Sequence, residues 1–316
     1  MLIVVPTILF LASAELLRKA GTKLHLANSE VEELGRPNDS TRRITDNSTA
    51  RILEHTDTYI VADKPFAVPC HHSWYIGRRS TTPMLQRIRD TVHRPINLVH
   101  RLDRGASGCL LCTYAAAEKE DISEEDTLDT TRLLSEALAE PVSRKTYIAL
   151  VPGEGIVRGV DFKKKGWFLV DRPIQNERKI EKEAQTWFRF VAGQDNDSGR
   201  NPDKARASLV LARPVTGRWH QIRRHLNGLS HPILGDSEHG NSKVNREWKS
   251  KHGLLPERLC LHLARLEIVP KPGVCPQGID VTSPLPPDLL AILQGPLKSV
   301  LDEAERTLLE EGIRLR

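Results

Sequence analysis

Residues 97–114 read NLVHRLDRGASGCLLCTY, and the side chain there most able to do chemistry is Asp103, set between Arg101 and Arg104 just ahead of a Gly-Ala-Ser-Gly turn. A positioned carboxylate can serve as a nucleophile or as a general base. The same string also suits a surface ion pair, or a neighbour of a metal or redox site built on Cys109 and Cys112. Two further segments offer groups that would serve a carboxylate. SRKTYIALV (143–151) carries Tyr147, and TGRWHQIRRHL (216–226) carries Arg223 and Arg224, with HPILGDSEHG (231–240) close behind.

The metal and redox readings find little support. Five cysteines, at 70, 109, 112, 260 and 275, are odd in number and irregularly spaced, so no disulfide framework emerges and a reducing compartment is the default. The run GCLLCTY reads as a strand, in which residues three apart point to opposite faces and cannot share a ligand. No second Cys or His pair completes a zinc set, and His100, His220, His225, His231 and His239 fall in no HExxH pattern. A glycine-rich phosphate loop is also missing, so neither a metal nor a nucleotide cofactor is expected.

The elements that must position these residues are short and irregularly ordered. Strands are expected at 52–53, 59–62, 97–99, 108–114, 145–151, 184–191, 207–212 and 263–268, and helices at 82–91, 127–139, 219–227 and 297–311. Asp63-Lys64-Pro65 closes the second strand, since proline cannot continue a ladder. Strands outnumber helices and no βαβ period or internal repeat appears, which predicts an α+β fold with a mixed, largely antiparallel sheet. The stretches EKEDISEEDTLDTT (118–131) and GQDNDSGRNPDKA (193–205) read as solvated loops.

A chain of 316 residues suffices for a sizeable core, and its excess of 46 Lys and Arg over 41 Asp and Glu fits a nucleic-acid partner. From Lys204 to Arg224 there are six Lys and Arg and no carboxylate. Residues 2–14, LIVVPTILFLASA, are apolar but too short to span a bilayer as an ordinary helix. Residues 1–50 are therefore expected to be a leader or linker, targeting among its possible uses, ahead of a domain at 51–316 with a C-terminal helical tail. The compartment stays open between cytoplasm and organelle, and no membrane partner is expected.

Taken together, HRLDRGASG (100–108), SRKTYIALV and TGRWHQIRRHL resemble in order and spacing the RluA-type family of pseudouridine synthases. Its pattern reads His-Arg-Leu-Asp, then Lys-x-Tyr, then Thr-Gly-Arg-x-His-Gln-Leu/Ile-Arg. The resemblance runs from 51 to about 270 and includes VADKPFAVPCHHSW, similar to the family's Asn-Lys-Pro-x-Gly strand. HHSW, HQIRRHL and HPILGDSEHG bring it nearest to a tRNA-modifying branch. Three departures touch turns: Ala106 where the family usually has Thr, Asp63 for Asn, and Phe66-Ala67 where Gly is common.

The resemblance implies an isomerase that breaks the N1–C1′ bond of uridine, turns the detached uracil and joins its C5 to C1′, without cofactor or metal. Asp103 becomes the catalytic carboxylate, whether it adds to C1′, adds to the base or removes a sugar proton. Covered by a base, the charged carboxylate would lose hydration and need a fixed counter-charge, for which Arg223 is the family's candidate. Such a pair at about 4 Å in an effective dielectric near 20 is worth about 4 kcal/mol. Tyr147 would stack on the uracil and Leu261 would close its other side. Arg101 would fill the gap left by the flipped base, while His100, Arg218, His220, Gln221 and Arg224 would contact RNA. Phosphate contacts from the 204–224 stretch and from Lys163, Lys164 and Lys165 would offset the few kcal/mol that base extrusion costs. The implied partner is the acceptor arm of tRNA, with ribosomal RNA the alternative substrate, a non-catalytic RNA-binding protein the other-class alternative, and a monomer the expected state.

Overall fold

The apolar runs join into one ten-stranded sheet in the computed structural model, which describes residues 49–71, 81–115, 124–157, 159–194 and 205–315. The strands are β1 (Arg51–His55), β2 (Tyr59–Lys64), β3 (Ile96–Leu98), β4 (Ser107–Tyr114), β5 (Arg144–Pro152), β6 (Ile156–Val157), β7 (Val160–Asp161), β8 (Phe168–Asp171), β9 (Ile174–Gln175), β10 (Glu181–Lys182), β11 (Gln185–Gly193), β12 (Ala207–Pro214), β13 (Leu261–Ile268) and β14 (Ile279–Thr282). The helices are α1 (Met84–Val92), α2 (Glu124–Ala139), α3 (Gln221–Gly228), α4 (Ser242–Lys251), α5 (Pro287–Gln294) and α6 (Lys298–Glu310). Along the main sheet the order is β1-β2-β4-β13-β5-β12-β11-β8, with β3 added to β4 and β14 to β13. Every ladder in it is antiparallel except β4 against β13, so the sheet is mixed and largely antiparallel, as expected for an α+β chain.

β4 is buried at seven of its eight positions, which is why it reads as a continuous apolar run rather than an alternating one. Gly108 lets β4 and β13 approach. Its φ is +118°, and a Cβ there would lie 2.2 Å from the Leu263 carbonyl oxygen. β5 is buried at six consecutive positions, from Thr146 to Val151. Tyr147 faces one side, while Thr146 faces the other and accepts a hydrogen bond from Arg213 Nε of β12 at 3.0 Å. That second side is closed by α6 and the residue after it. Glu311 pairs with Arg213, receives the Trp167 indole N–H at 3.2 Å and lies 3.4 Å from Arg189.

Several boundaries differ from the sequence reading for identifiable reasons. Residues 124–131 of the expected acidic loop form the first turns of α2. α3 begins at Gln221 rather than 219, because His220 sits in the left-handed region with φ +53°. Among the elements not expected from sequence are β8 and β14 of the main sheet, the short strands β6, β7, β9 and β10, α4, capped by Asn241 through the amides of Lys243 and Val244, and α5, which starts on proline. Ala50 is buried and its N–H donates to Thr91 Oγ1 at 2.9 Å, so the packed unit includes this residue of the expected leader. Residues 1–48, His72-Ser73-Trp74 and most of the 193–205 stretch lie outside the described residues. No helix among the described residues is long and apolar enough to cross a membrane.

Candidate active site

The turn that presents Asp103 is built from carbonyls held by two buried cations. Ala106 N–H closes it on the Asp103 carbonyl at 3.1 Å. Lys64 Nζ, at the end of β2, donates to the carbonyls of Ala106 (2.6 Å), Pro65 (3.0 Å) and Arg104 (3.2 Å). From the other side, Arg258 Nη1 reaches the Gly105 carbonyl at 3.3 Å and Ser107 Oγ at 3.0 Å, and its Nε pairs with Asp288 at 2.8 Å. Both cations are fully buried. Desolvation lowers Lys64 to about 8, partly opposed by the nearby Cys70 and Asp103 groups. Neither residue carried a role in the sequence reading, although Lys-Pro at a strand end was the available signal for Lys64. Of the departures in this region, Ala67 adopts φ +61°, the conformation a glycine takes more cheaply, and Ala106 is buried and serves the turn through its backbone N–H and carbonyl.

Across the cavity, α3 aims Arg223 at the carboxylate. Nη1 lies 3.1 Å from Asp103 Oδ2, while Nε and Nη2 each donate to Asp236 at 2.7 Å. Asp236 is buried, and burial alone would raise its carboxyl. The Arg223 bonds and the backbone N–H groups of His239 and Glu238 outweigh that and hold it below the usual carboxylate range. These charges in turn push the Arg223 guanidinium up against its own desolvation, so it stays cationic. Asp103 keeps about a third of its side chain exposed, open to a ligand from the cavity side.

The cavity itself is about 810 Å³ and contains nine of the ten residues singled out from sequence. Tyr147 is buried on its wall, and desolvation together with the Asp103 charge raises its hydroxyl well above the usual phenol range, keeping it protonated. Leu261 begins β13 one strand away, with Leu263 in register with Tyr147. Arg101 is exposed, and its side chain makes no hydrogen bond or ion pair with a described residue. Arg218 is fixed through Nε to the Glu183 carbonyl at 2.8 Å and otherwise exposed.

The other four expected RNA contacts, like Arg218, have internal partners. His100 Nε2 accepts the Leu111 N–H at 3.1 Å, and burial lowers the ring to about 3, so it is neutral and structural on this side. Gln221 spends its whole amide inside: its oxygen accepts from Thr216 Oγ1 (2.7 Å) and Arg218 N–H (3.0 Å), and its nitrogen donates to the Gln185 carbonyl and Thr186 Oγ1. It therefore shapes the 216–221 loop. Arg224 lies outside the cavity and bonds the Gln175 carbonyl at 2.8 Å. His220 Nε2 is 3.9 Å from Asp103 Oδ1, and its Nδ1 is 3.1 Å from His239 Nε2 and 3.5 Å from Glu238.

His220, Glu238 and His239 bring three possible ligand atoms within 4.8 Å of one another. The fixed Arg223 guanidinium, 3.7 Å from Glu238, opposes a divalent ion there, so the trio reads as a hydrogen-bonded support for the Asp103 side of the cavity. Cys109 and Cys112 are buried within β4. Burial pushes the Cys109 thiol up to about 12 and the Cys112 thiol higher, leaving both as unreactive thiols.

Comparison with known proteins matches residues 58–228 to the family described as RNA pseudouridylate synthase. The chain belongs to that family. Among its relatives, the tRNA pseudouridine synthase C of Haemophilus ducreyi is 32% identical over 219 residues, 68% of this chain and 83% of the relative. That of Salmonella typhi is 31% identical over 250 residues, covering 72% and 85%, and that of Pectobacterium carotovorum is 31% identical over 231 residues, covering 72% of this chain but 57% of the relative. Two solved human structures, RNA Pseudouridylate Synthase Domain Containing 1 and 4, share the fold with TM-scores of 0.52 and 0.53 at 20% identity. They cover 76% and 78% of this chain, and the alignment spans 84% and 93% of theirs. This RNA pseudouridylate synthase thus shares their overall fold.

Proposed function

We propose that this pseudouridine synthase isomerises a uridine in the acceptor arm of tRNA, with Asp103 as its catalytic carboxylate. The observation that carries the reading is the arrangement of Asp103, Arg223 and Tyr147 on one cavity, with the Arg223 guanidinium 3.1 Å from the carboxylate. A uridine turned out of its helix would enter between Tyr147 and Leu261, the ring of the first stacking on the uracil and the second closing the opposite face. Water leaves as the base enters, and the Arg223 guanidinium, already fixed by Asp236, stands opposite the Asp103 carboxylate in the drier site. Asp103 then acts at the sugar or base while the N1–C1′ bond breaks. The uracil turns in place and C5 bonds to C1′. Asp103, a carboxylate again once C5 has bonded to C1′, takes the C5 proton directly or through water, and N1 takes up a proton from solvent, while the protonated Tyr147 hydroxyl on the same wall is a donor and not the base.

The tRNA substrate is supported by relatives named tRNA pseudouridine synthase C. Residues 51–316 serve as the catalytic domain in this reading, and Arg101 enters the gap left by the base. The deciding experiment is tritium release from tRNA carrying 5-tritiated uridine. Wild type releases tritium and Asp103→Asn does not. Undiminished release by that variant would remove Asp103 from the mechanism. Mapping pseudouridine in cells lacking the protein then fixes the RNA: loss of a ribosomal site, with all tRNA sites intact, would replace the substrate.

A further inference from the structure

Trp219 is the one exposed large hydrophobic side chain among the described residues that lines the catalytic cavity, and it is 53% exposed. One face of its indole is stacked on His220, with ring centroids 3.8 Å apart and an interplanar angle of 22°. His220 in turn stands 3.9 Å from Asp103. His239 meets the indole edge-on at 6.0 Å, leaving the second indole face open. The indole N–H makes no hydrogen bond to a described residue.

The platform is rigid. Trp219 lies in the loop that Gln221 ties together through Thr216 and Arg218, with His220 locked at φ +53°. Beside it the exposed Arg218 is anchored by one nitrogen only, which leaves the rest of its guanidinium to solvent. An aromatic face held in place next to a free guanidinium is the chemistry that recognises a nucleotide: the face takes a base and the cation its phosphate.

The target uracil has Tyr147 and Leu261 for its two faces, so the open Trp219 face is left for another base. We infer that Trp219, backed by His220, is a stacking subsite for a nucleobase flanking the target uridine, with Arg218 on the adjoining phosphate. This rests on the RNA-modifying reading of the Asp103 cavity. Its effect is on how RNA is gripped, and the open side of the stack accepts any base, because every base presents a π-face.

The test compares wild type, Trp219→Phe and Trp219→Ala with unmodified bulk tRNA, measuring Kd and the KM and kcat of tritium release. Trp219→Ala should weaken binding and raise KM by about tenfold or more, the loss falling on KM rather than kcat, whereas Trp219→Phe keeps a ring and loses only about threefold. A second measurement uses a substrate hairpin that wild type converts, remade with an abasic nucleotide on each side of the target in turn. One abasic position should cost wild type as much as Trp219→Ala does and cost that variant nothing further. Equal Kd and KM for wild type and Trp219→Ala, or additive losses at both abasic positions, would overturn the subsite alone. No binding or conversion of any tRNA by wild type would overturn both the subsite and the functional reading beneath it.

Discussion

Asp236 grips Arg223 through two hydrogen bonds of 2.7 Å each, leaving the third guanidinium nitrogen to reach Asp103 at 3.1 Å. The counter-charge of the site is therefore aimed from behind, by a carboxylate that never meets the cavity. Asp236→Asn keeps the shape but removes the charge and one acceptor. Its kcat/KM should fall by about tenfold or more, since misplacement of about 1 Å can cost 100-fold. Asp236→Ala leaves a buried guanidinium half-paired and should also lose about 3 kcal/mol of stability in urea titrations.

Lys64 suggests a different split between activity and stability. Its ammonium binds three carbonyls and no carboxylate, so its removal abolishes a desolvated charge along with those bonds. Lys64→Met should therefore change stability by no more than about 2 kcal/mol, because the two effects oppose one another. The Asp103 turn nevertheless loses its support, and kcat in single turnover should drop by about tenfold or more.

Asp103, Tyr147 and Arg223, which line one cavity, stood out in the sequence because each sits in a short local motif, and the strands near them showed through their apolar runs. What stayed hidden was long-range. Lys64 and Arg258, the second paired with Asp288, reach the Asp103 turn from separate parts of the chain, and apart from the Lys-Pro step at Lys64 nothing in the local sequence announces a buried charge. Gln221 and His100 carried motif signals yet turned inward, since a motif position fixes a residue's neighbourhood and not which side of the backbone its polar atoms serve. α4 and α5 escaped for a plainer reason: the polar sequence of the first and the prolines before the second mask short helices.

Gly108 sits where no side chain fits. The Leu263 carbonyl oxygen is 2.2 Å from the place its Cβ would occupy, and φ is +118°. Gly108→Ala should destabilise by about 3 kcal/mol or more, read as a lower urea midpoint, by forcing apart the parallel ladder behind the active turn.

His262 gives a pH dependence with a definite sign. Its Nδ1 meets Ser107 Oγ at 2.9 Å and its Nε2 faces the Ser283 carbonyl at 3.1 Å. Burial lowers the ring from 6.5 to about 4. The unfolded chain then takes up a proton at this position that the folded chain refuses, so stability falls as pH drops from 6.5 toward 4 and levels below it, for a total of about 3 kcal/mol. Other buried histidines add to the wild-type slope, and comparison with His262→Gln isolates this one: the variant's unfolding free energy should fall less steeply over that window. Equal slopes would assign the acid sensitivity elsewhere.

The ladder between β4 and β13 joins His262 to Ser107 and Leu263 to Gly108, residues made far apart in time on the ribosome. While β4 emerges, its partner strand, the arginine that bonds the Gly105 carbonyl and the aspartate that neutralises it have yet to be translated. The nascent chain can thus display the motif of Asp103 without its working shape. The final form of the Asp103 turn waits on residues as late in the chain as Arg258 and Asp288.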